Sequence, residues 1–116
     1  MQPLEHPMTT YPRVLQEHFP RFISRPVTLL GSIQDVTDRK IRILLDNGDT
    51  IYGEYDSSLA QLLSLLKEEQ LVEFRGTLRN NNMLEIASAN GFPATEGTKE
   101  EIIPLYQEMV RLQRRE

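Results

Sequence analysis

The chain of 116 residues has no cysteine, which excludes disulfides, thiolate metal sites and cysteine nucleophiles. It has two histidines, His6 and His18. Neither lies near a serine–aspartate or carboxylate arrangement, so no catalytic triad and no metal site is expected. No glycine-rich phosphate loop occurs, and Glu68 and Glu69 are helical neighbours that point in different directions, as solvated carboxylates do. Catalytic residues, cofactor-binding residues and metal ligands are therefore all expected to be absent, and the chain is not expected to be an enzyme. No apolar run approaches the roughly 20 residues of a membrane span. The opening Met1-Gln-Pro-Leu-Glu-His-Pro7 lacks the basic and apolar regions of a secretory leader, so no membrane association is expected. Aromatic residues make up only 7%. A basic surplus is missing too: the net charge is −4, whereas a free-standing nucleic-acid binder usually draws its affinity from phosphate neutralisation. If the chain works near nucleic acid, something else is expected to hold the strand.

The present features are those of one domain with a modest core. Arg25 to Val36 carries Val27, Leu29 and Ile33 in alternation with Thr28 and Gln34, the period of a half-buried strand. Gly31 in its middle marks a bend, which would let one long strand pair with different partners on either side of it. Ahead of it, residues 1–10 read as a lead-in, and Leu15, Phe19, Phe22 and Ile23 fall at helical spacing that Pro20 restricts to one or two turns. Lys40 to Asp46 reads as a second strand. Asn47-Gly48 predicts a type I′ hairpin into a third, Thr50 to Tyr55. Asp56-Ser-Ser58 offers helix caps before Leu59, Leu62, Leu63 and Leu66, with the helix ending near Glu69. Leu71 to Leu78 alternates Val72, Phe74, Gly76 and Leu78 against Glu73, Arg75 and Thr77. After Asn80-Asn-Asn82, Met83 to Ala89 gives a fifth strand. Gly91, Pro93 and Gly97 punctuate a linker.

The order strand, strand, strand, helix, strand, strand, with a glycine-bent first strand, predicts an all-β fold with flanking helices. It is that of the five-stranded oligonucleotide/oligosaccharide-binding (OB-fold) barrel, with a helix between strands 3 and 4 and a further C-terminal helix. An SH3-like barrel, the rival all-β reading, usually lacks a helix at that place. The expected organisation is a flexible lead-in at 1–10, a barrel at 11–96 and a C-terminal assembly helix at 97–116. That last helix starts either at the capping box Thr98-Lys-Glu-Glu101 or at Pro104. Its apolar residues cover an arc of about 180°, wider than the roughly 100° stripe that suffices for one surface. Either the whole arc packs on the barrel, or part of it is buried against partner helices.

Four stretches resemble the smallest subunit of replication protein A, the eukaryotic heterotrimer that binds single-stranded DNA. They are Thr10-Tyr-Pro-Arg-Val14 with Phe22-Ile23 and Pro26-Val-Thr-Leu-Leu-Gly31, then Leu45-Asp-Asn-Gly48, Leu71-Val-Glu-Phe-Arg-Gly76, and Pro104-Leu-Tyr-Gln-Glu-Met-Val110. The small barrel subunits of telomere-capping and telomerase-associated complexes share this architecture. The chain departs from the pattern at Pro20 and in its longer leucine-rich helix. The resemblance implies a nuclear, non-catalytic subunit acting in DNA replication, repair and recombination, with two larger OB-fold subunits as partners. It also implies that single-stranded DNA is engaged mainly through those partners, and that the C-terminal helix enters a three-helix bundle. Carried onto this sequence, the subunit interface is Ile102, Leu105, Tyr106, Met109, Val110 and Leu112. Barrels of this class stack bases on aromatics of strands 2 and 3. Tyr52 and Arg42 are out of phase with the core residues of those strands, and with Arg39 and Lys40 they form the candidate nucleic-acid contact. The alternative is that Tyr52 packs on a neighbour and the basic groups are ordinary solvated charges near Asp35, Asp38 and Asp49.

Overall fold

The computed structural model describes residues 10–92 and 97–115. The expected lead-in, apart from Thr10, and residues 93–96 of the linker lie outside the described residues. Five strands close into a barrel in the order β1-β2-β3-β5-β4, with β1 at Pro26–Thr37, β2 at Lys40–Leu45, β3 at Thr50–Glu54, β4 at Val72–Asn80 and β5 at Met83–Gly91. A helix, α1 (Ala60–Leu66), follows β3, and a second, α2 (Lys99–Gln113), follows β5. This is the OB-fold barrel, and the residue that makes it close is Gly31. Pro26 to Gly31 pair with β4, while Gly31 to Thr37 pair with β2, so Gly31 is opposite Val72 and Leu45 at once. A Cβ there would sit 2.5 Å from the Leu44 carbonyl oxygen, and only glycine allows that approach. The remaining seam is closed by the parallel pairing of Tyr52 to Glu54 with Met83 to Glu85.

Alternation places the core as the sequence implies. Val27, Leu29, Ile41, Ile43, Ile51, Phe74, Leu78 and Leu84 are buried inside the barrel, each contributing roughly 1.5–3 kcal/mol by removal from water. Leu63 and Leu66 of α1 plug one end of this core, and Val14 and Phe19 join it from the chain ahead of β1. That leading segment forms a six-residue 3₁₀ turn, Gln16–Arg21, which tolerates Pro20 because its hydrogen-bond ladder is so short. Before it, the backbone pairs directly with β1: Thr28 donates to Pro12 and accepts from Val14, at 2.8 and 3.1 Å.

Two local expectations are corrected and one left open is decided. The β2–β3 turn is not type I′, because only Gly48 has positive φ (94°). Gly48 N–H donates to the Leu45 carbonyl and Leu45 N–H to that of Asp49, a three-residue loop ending on a left-handed glycine. Asn47 instead accepts from Asp49 N–H through its side chain. The leucine-rich helix is shorter than expected: a 3₁₀ turn at Ser57–Leu59 precedes it and it ends at Leu66 rather than near Glu69. Finally, α2 starts at the capping box, with Glu101 accepting from Thr98 N–H at 3.0 Å. Pro104 therefore lies inside the helix, at the cost of one backbone bond.

Candidate subunit interface and nucleic-acid face

Two surfaces hold the residues singled out from sequence. The first is α2. Ile102, Tyr106 and Val110, four positions apart, form one stripe that is buried with Leu15, Leu30 and Leu71 in a second apolar cluster on the outside of the barrel. Leu30 is an outward-facing β1 residue that would otherwise meet water. At the centre of this contact is a buried carboxylate. Glu73, on the outer side of β4, is 5% exposed. It accepts from Arg13 Nε at 2.7 Å and from the Tyr106 hydroxyl at 2.9 Å. Burial, and then the neighbouring Glu73 charge, push the Tyr106 phenol far above its ordinary value, so it stays a neutral donor. The bond to Glu73 raises the Arg13 guanidinium. Arg13 also lies 6.0 Å from the centre of the Tyr106 ring, and Phe92 meets that ring edge-on at 5.9 Å.

Polar contacts secure one flank of α2. Gln107 donates to Asp46 at 2.7 Å, and Arg111 forks onto both carboxylate oxygens of Glu17, with its closest contact at 2.8 Å. That pairing lowers the Glu17 carboxyl and raises Arg111. The opposite flank is different. Leu105, Met109 and Leu112 are 69, 37 and 59% exposed. Leu105 and Met109 border an open groove whose other walls are Phe92, Tyr106, Ile102 and the Arg13–Glu73 pair. The structure thus divides the six expected interface residues. Ile102, Tyr106 and Val110 are turned into the barrel and are unavailable to a partner while α2 is seated. Leu105, Met109 and Leu112 face outward.

The second surface is the outer face of β2 and β3. Arg42 is directly opposite Tyr52, and Tyr52 is 45% exposed. Lys40 Nζ stands 5.8 Å from the Tyr52 ring centre. Lys40, Arg42 and Tyr52 line one shallow groove with Asp35 and Thr37. Arg39 is not brought into it. It sits in the β1–β2 turn at φ 67°, a left-handed conformation unusual for a residue with a Cβ, and lines a separate depression with Asp38, Glu54 and Glu85. Charge on the Tyr52 face is largely balanced. Arg42 is ion-paired with Asp35, and Lys40 is opposite Glu54. Neither surface contains a catalytic arrangement, and among the described residues no three His, Asp or Glu converge as a metal site would require.

Sequence reasoning missed Glu73, Arg13 and the packing role of His18. Glu73 alternates outward and reads as solvated until α2 covers it. His18 is 6% exposed, and its Nδ1 accepts from Leu15 N–H at 3.0 Å. Desolvation depresses its pKa, with Arg21, Arg114 and Arg111 adding to the shift and Glu17 opposing it.

No protein-family model matches the sequence, and no curated protein matches it. Solved structures do match in shape. A chain of Ustilago maydis replication protein A bound to single-stranded DNA superposes with a TM-score of 0.61 at 12% identity, over 90% of this chain and 96% of that one. A chain of the Schizosaccharomyces pombe Stn1–Ten1 complex gives 0.65 at 11%, over 90 and 91%. The telomere capping protein Ten1 of S. pombe gives 0.62 at 10%, over 90 and 97%. The likeness spans nearly the full length of each matched chain, and what this protein shares with all three is the OB-fold barrel.

Proposed function

We propose that this protein is a non-catalytic OB-fold subunit of a single-stranded-DNA-binding complex in the nucleus, held to larger OB-fold partners through α2. The observation that carries the reading is the exposed stripe Leu105, Met109 and Leu112 on a helix whose other side is fastened to the barrel. A helix that served only its own barrel would gain nothing from three large apolar groups in water. Support also comes from the shape match to a chain of replication protein A, to a chain of the Stn1–Ten1 complex and to Ten1. The charge-balanced Tyr52 face and the net charge of −4 favour DNA being held mainly by the partners. A replication protein A-like heterotrimer and a telomere-capping assembly are the two forms this role takes.

The test is native purification of the tagged chain, with the assembly weighed by mass spectrometry. The expected result is a complex with larger OB-fold subunits that binds single-stranded DNA and is lost in Leu105→Asp/Met109→Asp. The melting curve of the free variant should stay within about 0.5 kcal/mol of the parent, because both positions are surface sites. The identity of the larger partners tells the replication protein A-like form from the telomere-capping form. A native chain that purifies alone, or a double variant that still assembles, overturns the proposal.

A further inference from the structure

The geometry points to a partner helix whose apolar stripe is flanked by basic residues, and to an α2 surface that by its charge resists pairing with a second copy of itself. The inference rests on the assembly reading of α2 and adds the chemistry of the occupant.

At about 100° per residue, the positions next to Leu105 and Leu112 on their solvent side are Glu101 and Glu108. These lie seven positions apart, hence stacked about two turns from each other on one face. Both are exposed. The basic residues of the helix are placed elsewhere. Arg111 is on the opposite flank, forked onto Glu17, and on the barrel side of the groove Arg13 is neutralised by Glu73. Over the helix itself, Lys99–Gln113, the free stripe is thus bordered on its open side by carboxylates, and Arg115, the next position in the same seven-residue spacing, comes only past the helix end. Residues in this relation to a helical seam face the corresponding flank of the docked helix and set partner choice. Parallel self-pairing would set Glu101 against Glu101 and Glu108 against Glu108. Antiparallel self-pairing would set Glu101 against Glu108, or Glu108 against its own copy. Homotypic registers that overlap Lys99–Gln113 along its length juxtapose these like charges, whereas a helix with Lys or Arg at its flanks meets opposite charge at both positions.

The experiment uses the full chain and two synthetic amphipathic helical peptides of about 20 residues, long enough to span a helix of this length. They share one leucine stripe, flanked by Lys in one peptide and by Glu in the other, and binding is read by fluorescence anisotropy. The Lys-flanked peptide is expected to bind about three- to tenfold tighter at low ionic strength, with the gap closing near 1 M salt. Glu108→Lys should shrink the preference to less than about twofold, while Glu68→Lys, the same charge change on another element, should leave it in place. Leu105→Asn/Met109→Asn should abolish binding of both peptides.

Equal binding of the two peptides, lost in the leucine–methionine variant, overturns the charge inference and leaves the assembly reading standing. The charge inference falls in the same way if Glu68→Lys acts as strongly as Glu108→Lys, since net charge then explains the preference. Failure of both peptides to bind, or binding that ignores Leu105 and Met109, overturns both readings.

Discussion

Tyr106, Glu73 and Arg13 show how much one residue can carry in a small domain. The Tyr106 hydroxyl is a buried donor to a charged acceptor, so Tyr106→Phe should cost about 1–2 kcal/mol, read as a lower urea midpoint at unchanged slope. Glu73→Ala should cost more, about 2–3 kcal/mol, because the hydroxyl is left buried without a partner. The loss is limited by Arg13, whose side chain is 42% exposed and can return to water. His18 gives a separate, pH-dependent signature. Its pKa in the folded protein is depressed by burial, so above about pH 6.5 it is neutral in both states and its contribution is intact. As the pH falls through 6.5 toward the folded value, the unfolded chain takes up the proton first and stability drops. Urea midpoints at pH 7.5 and 5.5 should diverge, and His18→Asn should flatten that slope. The Glu17 carboxyl, also lowered, loses its contribution only below about pH 4.5, a window distinct from that of His18. None of this was visible in the residues themselves. Glu73 sits at a solvent-phase position of its strand, and its burial comes from α2, a helix that begins only at Lys99, beyond the whole of β5.

At the scale of elements, the strands were legible because their inward residues recur every second position and β1 changes partners at Gly31. Local geometry was less so. Asn47-Gly48 supports more than one hairpin turn, and the side-chain bond of Asn47 to Asp49 selects the looser loop. The wide apolar arc of α2 was legible as an excess, but sequence could not say which half faces the barrel. That choice is made by Leu30, Leu71 and Leu15, which are far apart in the chain and adjacent only after closure. The packed half matters for stability. Ile102, Tyr106 and Val110 are worth about 1.5–3 kcal/mol each when buried, about 4.5–9 kcal/mol for the three as an upper estimate. A whole domain has about 5–15 kcal/mol. Removing residues 97–116 should therefore leave a barrel of marginal stability that exposes Leu15, Leu30 and Leu71, detectable as a much lower melting temperature with gained binding of a hydrophobic dye. The Leu105/Met109 variants should show neither change, which separates the cis role of this helix from its outward one.

For the whole molecule, the decisive quantity is charge. With a net −4, and with Arg42 already paired, the outer β2–β3 face offers phosphates only Lys40 in the Tyr52 groove and Arg39 in the neighbouring depression. Isolated protein should bind oligothymidine at the weak end of non-specific affinity, about 10⁻⁴ M. The log–log salt slope should be no steeper than about −1.4 for two contacts on a single strand. Fluorescence titration at several salt concentrations measures both, and Tyr52→Ala should remove the residual signal if base stacking supplies it. A slope several times steeper would locate the DNA site on this subunit after all. The same global view gives a different meaning to the short pairing of Pro12 and Val14 with Thr28. The first half of β1 has β4 on one side only, because β2 joins the strand beyond Gly31. The backbone of Pro12 to Val14 is what occupies the other side. Without it the barrel would present an unsatisfied strand edge, the kind of surface on which other chains nucleate. Proteolytic trimming past Val14 would thus convert a closed ring into a template for aggregation, even though the five strands themselves were left whole.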